Sequence, residues 1–285
     1  MENAYQTTMY ILKKYNITAN KSLGQNFLIN DDVIQKTINS ADISKEDLVI
    51  EIGPGLGTLT EGLLQKAGKV IAIELDKRML AILKERFSLY SNFEIINNDV
   101  LKVDLQDLIK SQKDMNNLKT AKIVANLPYY ITTPIIMKLL EDKLDIQSIT
   151  VMVQKEVAKR LTANPGEKLA GAITYSVNYY CTAEEKVEVP RESFIPAPEV
   201  ESEVIKLTLR KDKPVQLENE DLFFKLIKSS FMQRRKTFLN GVSNSGLVEK
   251  EKLKQILEQM NINENIRGEN LSLLQFAQIA NKICK

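Results

Sequence analysis

Two short stretches hold residues whose types and spacing suit chemistry. The first is Val124-Ala125-Asn126-Leu127-Pro128-Tyr129-Tyr130. It sets a side-chain amide, a backbone carbonyl, a proline and an aromatic ring at the end of an apolar run, where open α/β sheets place their active sites. An exocyclic adenine amine is a weak nucleophile because its lone pair is delocalised into the ring. Acceptors aimed at the amine protons localise that pair, and the Asn126 side-chain oxygen and the Leu127 carbonyl are of the right kind. Pro128 stiffens the turn, and Tyr129 offers a face on which a flipped base can stack. The surplus proton becomes acidic only after transfer, so positioning and preorganised dipoles matter more than a strong base.

The second stretch is Glu51-Ile52-Gly53-Pro54-Gly55-Leu56-Gly57, between a strand-like run and a helix-compatible one. Gly53, Gly55 and Gly57 let the backbone approach a ligand closely. Glu74 lies 21 residues beyond Gly53, at the end of the next strand-like run. There its carboxylate is placed to accept both ribose hydroxyls of an adenosine-containing cofactor. The spacing is G-x-G-x-G rather than the G-x-G-x-x-G of nicotinamide cofactors, and Pro54 removes an amide that a pyrophosphate would use. Both points favour S-adenosylmethionine, although the glycines alone are compatible with a merely structural turn. Asp99 is placed to accept from an adenine amino group, and Val100 to offer its amide to a ring nitrogen, although Asn-Asp clusters also mark ordinary turns.

Composition removes competing chemistries. The chain has 285 residues and no His, which excludes Ser-His-Asp triads, Cys-His dyads and imidazole metal ligands. Its two cysteines, Cys181 and Cys284, form neither a CxxC pair nor a zinc framework. No metal is expected. No apolar run approaches the ~18 residues of a membrane span, and the N-terminus lacks the layout of a signal peptide. A reduced, cytoplasmic protein is expected.

The elements that must position these residues alternate. Leu48–Ile52, Val70–Glu74, Phe93–Asn97, Lys122–Ala125 and Ile149–Val153 read as short buried strands. Helices are expected at 58–65, at 77–87 with Asp76 as cap, and at 134–141. This is the pattern of a parallel α/β sheet covered on both faces. Lys186–Val189 and Val204–Leu209 read as further strands that close the sheet antiparallel. From Glu218 onward the pattern is helical. The expected organisation is a catalytic domain over 1–212 and a small all-helical domain over 213–285.

The ordered set of motifs resembles the bacterial small-subunit (16S) ribosomal RNA adenine dimethyltransferases. It comprises Leu23-Gly24-Gln25-Asn26-Phe27-Leu28, Glu51 to Gly57, Glu74 with Asp76, and Asn98-Asp99. Next come Asn126-Leu127-Pro128-Tyr129 and Gln154 to Ala158. The later members are Phe194-Ile195-Pro196-Ala197-Pro198 with Val200 and Ser202, Gln233-Arg234-Arg235-Lys236-Thr237, and Arg267 to Phe276. The resemblance implies the Rossmann-like α/β sheet of class I methyltransferases, and S-adenosylmethionine-dependent dimethylation of two adjacent adenosines near the 3′ end of 16S ribosomal RNA, within an assembling small subunit. It implies cofactor contacts from Gln25, Asn26, Leu28, Gly53, Glu74, Asp99 and Asn126. It also implies that Phe194 packs on the target base, although a core role suits the same residue. Tyr130 stands where many members have Asn, and Lys21-Ser22 replaces a more basic approach to Gly24.

The net charge of +2 conceals an uneven distribution. Residues 222 to 240 hold Lys225, Lys228, Arg234, Arg235 and Lys236 and no acidic side chain, a local +5 that leaves −3 for the rest. A solvated helix face has this look, but its place beside the helical domain favours RNA phosphates. Lys13, Lys14 and Lys21 are expected to extend the surface. No dimerisation segment stands out, and a monomer is expected. Two alternatives share the fold: a large-subunit enzyme of the macrolide-resistance type, and a ribosome-assembly binding factor that needs no catalysis.

Overall fold

The computed structural model describes residues 3–20, 23–233 and 235–284. Lys21, Ser22 and Arg234 therefore lie outside the described residues. The strands are β1 Phe27–Leu28, β2 Asp47–Ile52, β3 Lys69–Glu74, β4 Phe93–Asn97, β5 Thr120–Asn126, β6 Ser148–Gln154, β7 Cys181–Val189, β8 Phe194–Ile195 and β9 Ser202–Leu209. Seven of them form one sheet in the order β4-β3-β2-β5-β6-β9-β7. β4, β3, β2, β5 and β6 are parallel, and β9 runs antiparallel to β6. All five expected parallel strands are present, each extended by no more than three residues, and the antiparallel closure is as expected. β2 is buried along its whole length, as a central parallel strand covered on both faces must be.

Chain direction across the sheet reverses at β2. β3 and β4 follow on one side, β5 and β6 on the other, so the crevice beyond the carboxyl ends of β2 and β5 is the topological switch point. Helix starts facing this end are capped. The Asp76 carboxylate accepts the Arg78 N–H, starting the helix Lys77–Arg86 as the sequence suggests. Asn30 likewise caps Asp31–Ser40 through the Asp32 and Val33 amides. The helices Ala4–Lys14, Asp31–Ser40 and Leu105–Asn116 were not among the sequence expectations.

The chain divides into two compact units, one reaching to Ala158 and including Ala183–Leu209, the other comprising Lys159–Thr182 and Arg210 onward. The expected boundary at 212 is thus incomplete, since residues 159–182 join the helical unit. The cause is the helix Ala172–Tyr180. Its Tyr175 is wholly buried, with its ring 5.0 Å from that of Phe276 and its hydroxyl donating to the Gly268 and Leu271 carbonyls. Tyr179 and Tyr180 both donate to the Glu220 carboxylate, at 3.1 and 2.7 Å. A helix with these partners packs with the helices Glu220–Met232 and Leu273–Cys284. No described helix is long and apolar enough to cross a membrane. Both cysteines are free, Cys181 buried and Cys284 exposed.

Candidate active site

The glycine-rich turn leaves β2 at Ile52. Gly53 takes φ +66° and donates its N–H to the Ile73 carbonyl at 2.9 Å, tying the turn to β3. A Cβ added at Gly53 would meet nothing within 4 Å. It would stand in an open cleft lined by Gly53, Gly55 and the ends of β2, β3 and β5. Gly57 differs. It is not part of the cleft lining, and it caps the helix Thr58–Lys66 at φ +85°. A Cβ there would lie 2.5 Å from the Phe87 ring. The expected ligand role of Gly57 is therefore corrected: close helix packing demands this glycine.

Glu74 ends β3 and is 6% exposed, with its carboxylate reaching the cleft. One oxygen accepts the Gly55 N–H at 3.1 Å and the other the Asp76 N–H at 2.7 Å. These bonds fix the carboxylate and leave each oxygen capacity for a second donor. Burial nevertheless raises its pKa. Glu51, also in the cleft wall, is fully buried and accepts from the Thr60 hydroxyl at 2.6 Å. Desolvation, reinforced by the neighbouring Glu74 charge, pushes its carboxyl up to about 8. Two carboxyls thus flank the turn, and the deeper one is held neutral at pH 7.

Opposite the glycine turn runs the segment Leu23 to Leu28. Its Gln25 side chain is occupied within the protein, accepting the Asn20 N–H at 2.9 Å and donating to Asp76 at 2.9 Å. Gln25 lines the cleft, but its amide secures the segment. Asp76, held below the usual carboxylate range chiefly by the Arg78 guanidinium, is the anchor. Leu28 in β1 pairs antiparallel with Phe194 in β8. That pairing places Phe194 in the hydrophobic core at 3% exposure, outside the cleft lining. The expected stacking of Phe194 on a base is corrected accordingly: neither face of its ring is open.

Asp99 and Val100 line the far wall. Asp99 accepts the Leu101 N–H through one oxygen and caps the short turn Val100–Lys102. As the first residue of that turn, Val100 has an N–H with no intrahelical acceptor. Asn97, which the sequence reading left unassigned, donates to the Glu74 carbonyl at 2.7 Å and holds the ends of β3 and β4 together.

The Asn126 segment completes the cleft. Asn126 Nδ2 donates to the Asn26 carbonyl at 3.5 Å, and among the described residues no donor reaches Oδ1. The Leu127 N–H donates to the Met152 carbonyl at 3.1 Å, while among the described residues no donor reaches the Leu127 carbonyl. The Pro128 carbonyl accepts from the Ile131 N–H and the Thr132 hydroxyl, locking the turn that carries Tyr129. Tyr129 lines the cleft, and burial raises its pKa, so it is a neutral phenol. Tyr130 is exposed, and its ring lies near Gly24, where an added Cβ would come within 3.2 Å at φ +58°. The cleft thus joins two acceptors, a phenol ring, a fixed carboxylate and the Val100 amide.

A sequence model of the family described as ribosomal RNA adenine dimethylase matches residues 16–285. The chain belongs to that family. It is 47% identical over 281 residues to the ribosomal RNA small subunit methyltransferase A of Clostridioides difficile, covering 99% of this chain and 96% of that one. It is 46% identical over 279 residues to the protein of the same name from Geobacillus thermodenitrificans, covering 97% and 94%. Among solved structures, a dimethyladenosine transferase from Plasmodium falciparum superimposes with a TM-score of 0.74 at 29% identity, over 88% of this chain and 95% of that one. The 23S rRNA methyltransferase ErmE superimposes with a TM-score of 0.68 at 22% identity, over 91% and 100%, and shares the fold.

The basic stretch lies in the helical unit of this dimethylase-family chain. Lys225 pairs with Asp221 one turn earlier, at 2.6 Å, so its charge is not free as the stretch alone suggested. Lys228, Arg235 and Lys236 are exposed, and among the described residues none is in an ion pair. In the first unit Lys14 is bound to Glu85 at 2.7 Å, which weakens the expectation that it adds to a nucleic-acid surface.

Proposed function

We propose that the protein dimethylates the N6 amines of two adjacent adenosines near the 3′ end of 16S ribosomal RNA in the assembling small subunit, with S-adenosylmethionine as methyl donor. The observation that carries this reading is the pair of acceptors, Asn126 Oδ1 and the Leu127 carbonyl, at the switch-point cleft, which no donor reaches among the described residues. They take the two protons of an exocyclic amine and hold its lone pair out of conjugation with the ring. Tyr129 stacks on the base. When bound, S-adenosylmethionine supplies an electrophilic methyl on a sulfonium. The residues fit it: Gly53 leaves room that any side chain would fill, Glu74 accepts the ribose hydroxyls, and Asp99 with the Val100 amide reads the adenine edge. Asn26 and Leu28 cover it from the opposite segment. Neutral Glu51 avoids placing a second buried anion beside Glu74.

The first unit is the catalytic domain, and the helical unit binds RNA through Lys228, Arg235 and Lys236, with Arg234 between them in sequence. Small-subunit RNA is favoured because curated relatives matched along nearly the whole chain bear small-subunit names. The large-subunit reading leans on a likeness of fold alone. The test is Asn126→Ala. Cofactor binding stays mostly intact and methyl transfer is lost. Near-normal turnover in this variant removes Asn126 from its role and with it the reading.

A further inference from the structure

One contact at the cleft is made by a residue outside it. The Tyr129 phenol oxygen lies 2.6 Å from Ser202 Oγ. Tyr129 belongs to the three-residue turn Tyr129–Ile131 and is half-buried, with its ring at the cleft. Ser202 is 1% exposed, opens β9 and is not part of the cleft lining. The two are 73 residues apart in sequence.

The serine side of this bond is rigidly held. Ser202 pairs with Gln154 across the β6–β9 ladder, and the preceding residue, Glu201, accepts the Lys155 N–H at 3.0 Å through its carbonyl. The tyrosine side is less constrained. A side chain on a short turn, with one end toward an open cleft, can rotate about χ1 and χ2 unless its far end is tethered. Ser202 also closes the segment that begins at Phe194, and Phe194 pairs with Leu28 of the covering segment. The bond therefore connects the tyrosine at the amine site to the chain that backs the cofactor segment.

We propose that Ser202 is a positioning residue, whose hydroxyl holds the Tyr129 ring in the plane on which the target adenine stacks. The proposal rests on the methyl-transfer reading and adds a residue to it. Either hydroxyl can donate in this bond. Threonine keeps the hydroxyl and suits a strand, whereas alanine removes it.

The test compares single-turnover methyl transfer to small subunits lacking dimethyladenosine for Ser202→Ala, Ser202→Thr, Tyr129→Phe and the Ser202→Ala/Tyr129→Phe double variant. Thermal unfolding and cofactor affinity are measured alongside. Losing one net hydrogen bond at the reacting centre corresponds to about 2- to 10-fold in rate. Ser202→Ala and Tyr129→Phe each slow the transfer step by that factor, with KM for the subunit and cofactor affinity unchanged. Ser202→Thr restores the rate, and the double variant is no slower than either single one. A Ser202→Ala enzyme of normal rate overturns the proposal, and so does a double variant whose losses multiply. Tyr129→Ala separates the two levels of inference. If it is crippled while Ser202→Ala is normal, only the serine's role falls; if it is normal, the stacking role of Tyr129 falls as well.

Discussion

Gly53 and Gly57 look equivalent in sequence, and the structure separates them into a ligand position and a packing position. Alanine at either one must adopt positive φ, at a cost of about 1–2 kcal/mol. At Gly53 that is the whole cost, because the new methyl meets no protein atom within 4 Å. At Gly57 the methyl arrives 2.5 Å from Phe87 Cε2 and 2.9 Å from Leu83 Cδ2. Neither neighbour can move freely. Phe87 is 3% exposed and packs edge-on against Phe93 at 5.3 Å, and Leu83 is wholly buried. Overpacking of this kind adds roughly 1–3 kcal/mol, so Gly57→Ala costs roughly 2–5 kcal/mol in total. With about 2–4 °C per kcal/mol for a chain of this size class, Gly57→Ala melts well below Gly53→Ala. Calorimetric titration with S-adenosylmethionine, run at a temperature where both variants are folded, should show the opposite ranking. Gly53→Ala loses about tenfold or more in affinity, since ~1.4 kcal/mol of steric intrusion suffices, while Gly57→Ala binds nearly as the parent does. Equal melting temperatures, or a binding defect confined to Gly57→Ala, would refute the division.

Further outcomes follow from the carboxyls and the basic surface. Glu51, neutral in the folded protein up to about pH 8, ionises near its ordinary value once unfolded, so between the two the folded state binds the extra proton. Stability should be greatest at or below about pH 4.5 as far as this group is concerned, and fall by up to ~1.4 kcal/mol per pH unit as pH rises toward 8. Glu51→Gln should flatten that slope in melts at pH 5 and pH 8, and an unchanged slope would refute the assignment. Glu74→Gln should weaken cofactor binding by about 10-fold or more, the cost of replacing charge-assisted acceptors; calorimetry giving parental affinity would remove Glu74 from the ribose site. Reversing Arg235 and Lys236 to Glu should weaken subunit binding and flatten its dependence on salt concentration. A filter-binding series with the parental slope would detach the patch from RNA.

The sheet was legible because parallel strands buried on both faces read as uninterrupted apolar runs, as in Leu48-Val49-Ile50. That Asn126, Glu74 and Asp99 reach the cleft was legible because open α/β sheets form their crevice at the carboxyl ends of the strands. Long-range pairing was not. Nothing local in the sequence shows that Leu28 pairs with Phe194, which buries a ring that the motif alone would assign to a base. Nor does it show that Gln25 spends its amide on Asp76, or that Tyr175 reaches the Leu271 carbonyl 96 residues away. Gly57 matched the glycine pattern for a reason visible only once Phe87 is in place. Nor does the basic window show that Lys225 pairs with Asp221, which lies just outside it.

The central claim is transfer of methyl groups to small-subunit RNA, and it is tested most directly by incubating the protein with labelled S-adenosylmethionine and either small subunits lacking dimethyladenosine or large subunits. The expected result is label in 16S RNA alone, recovered as N6,N6-dimethyladenosine at two adjacent positions near the 3′ end. Label confined to the large subunit, or tight small-subunit binding with no label, would contradict it.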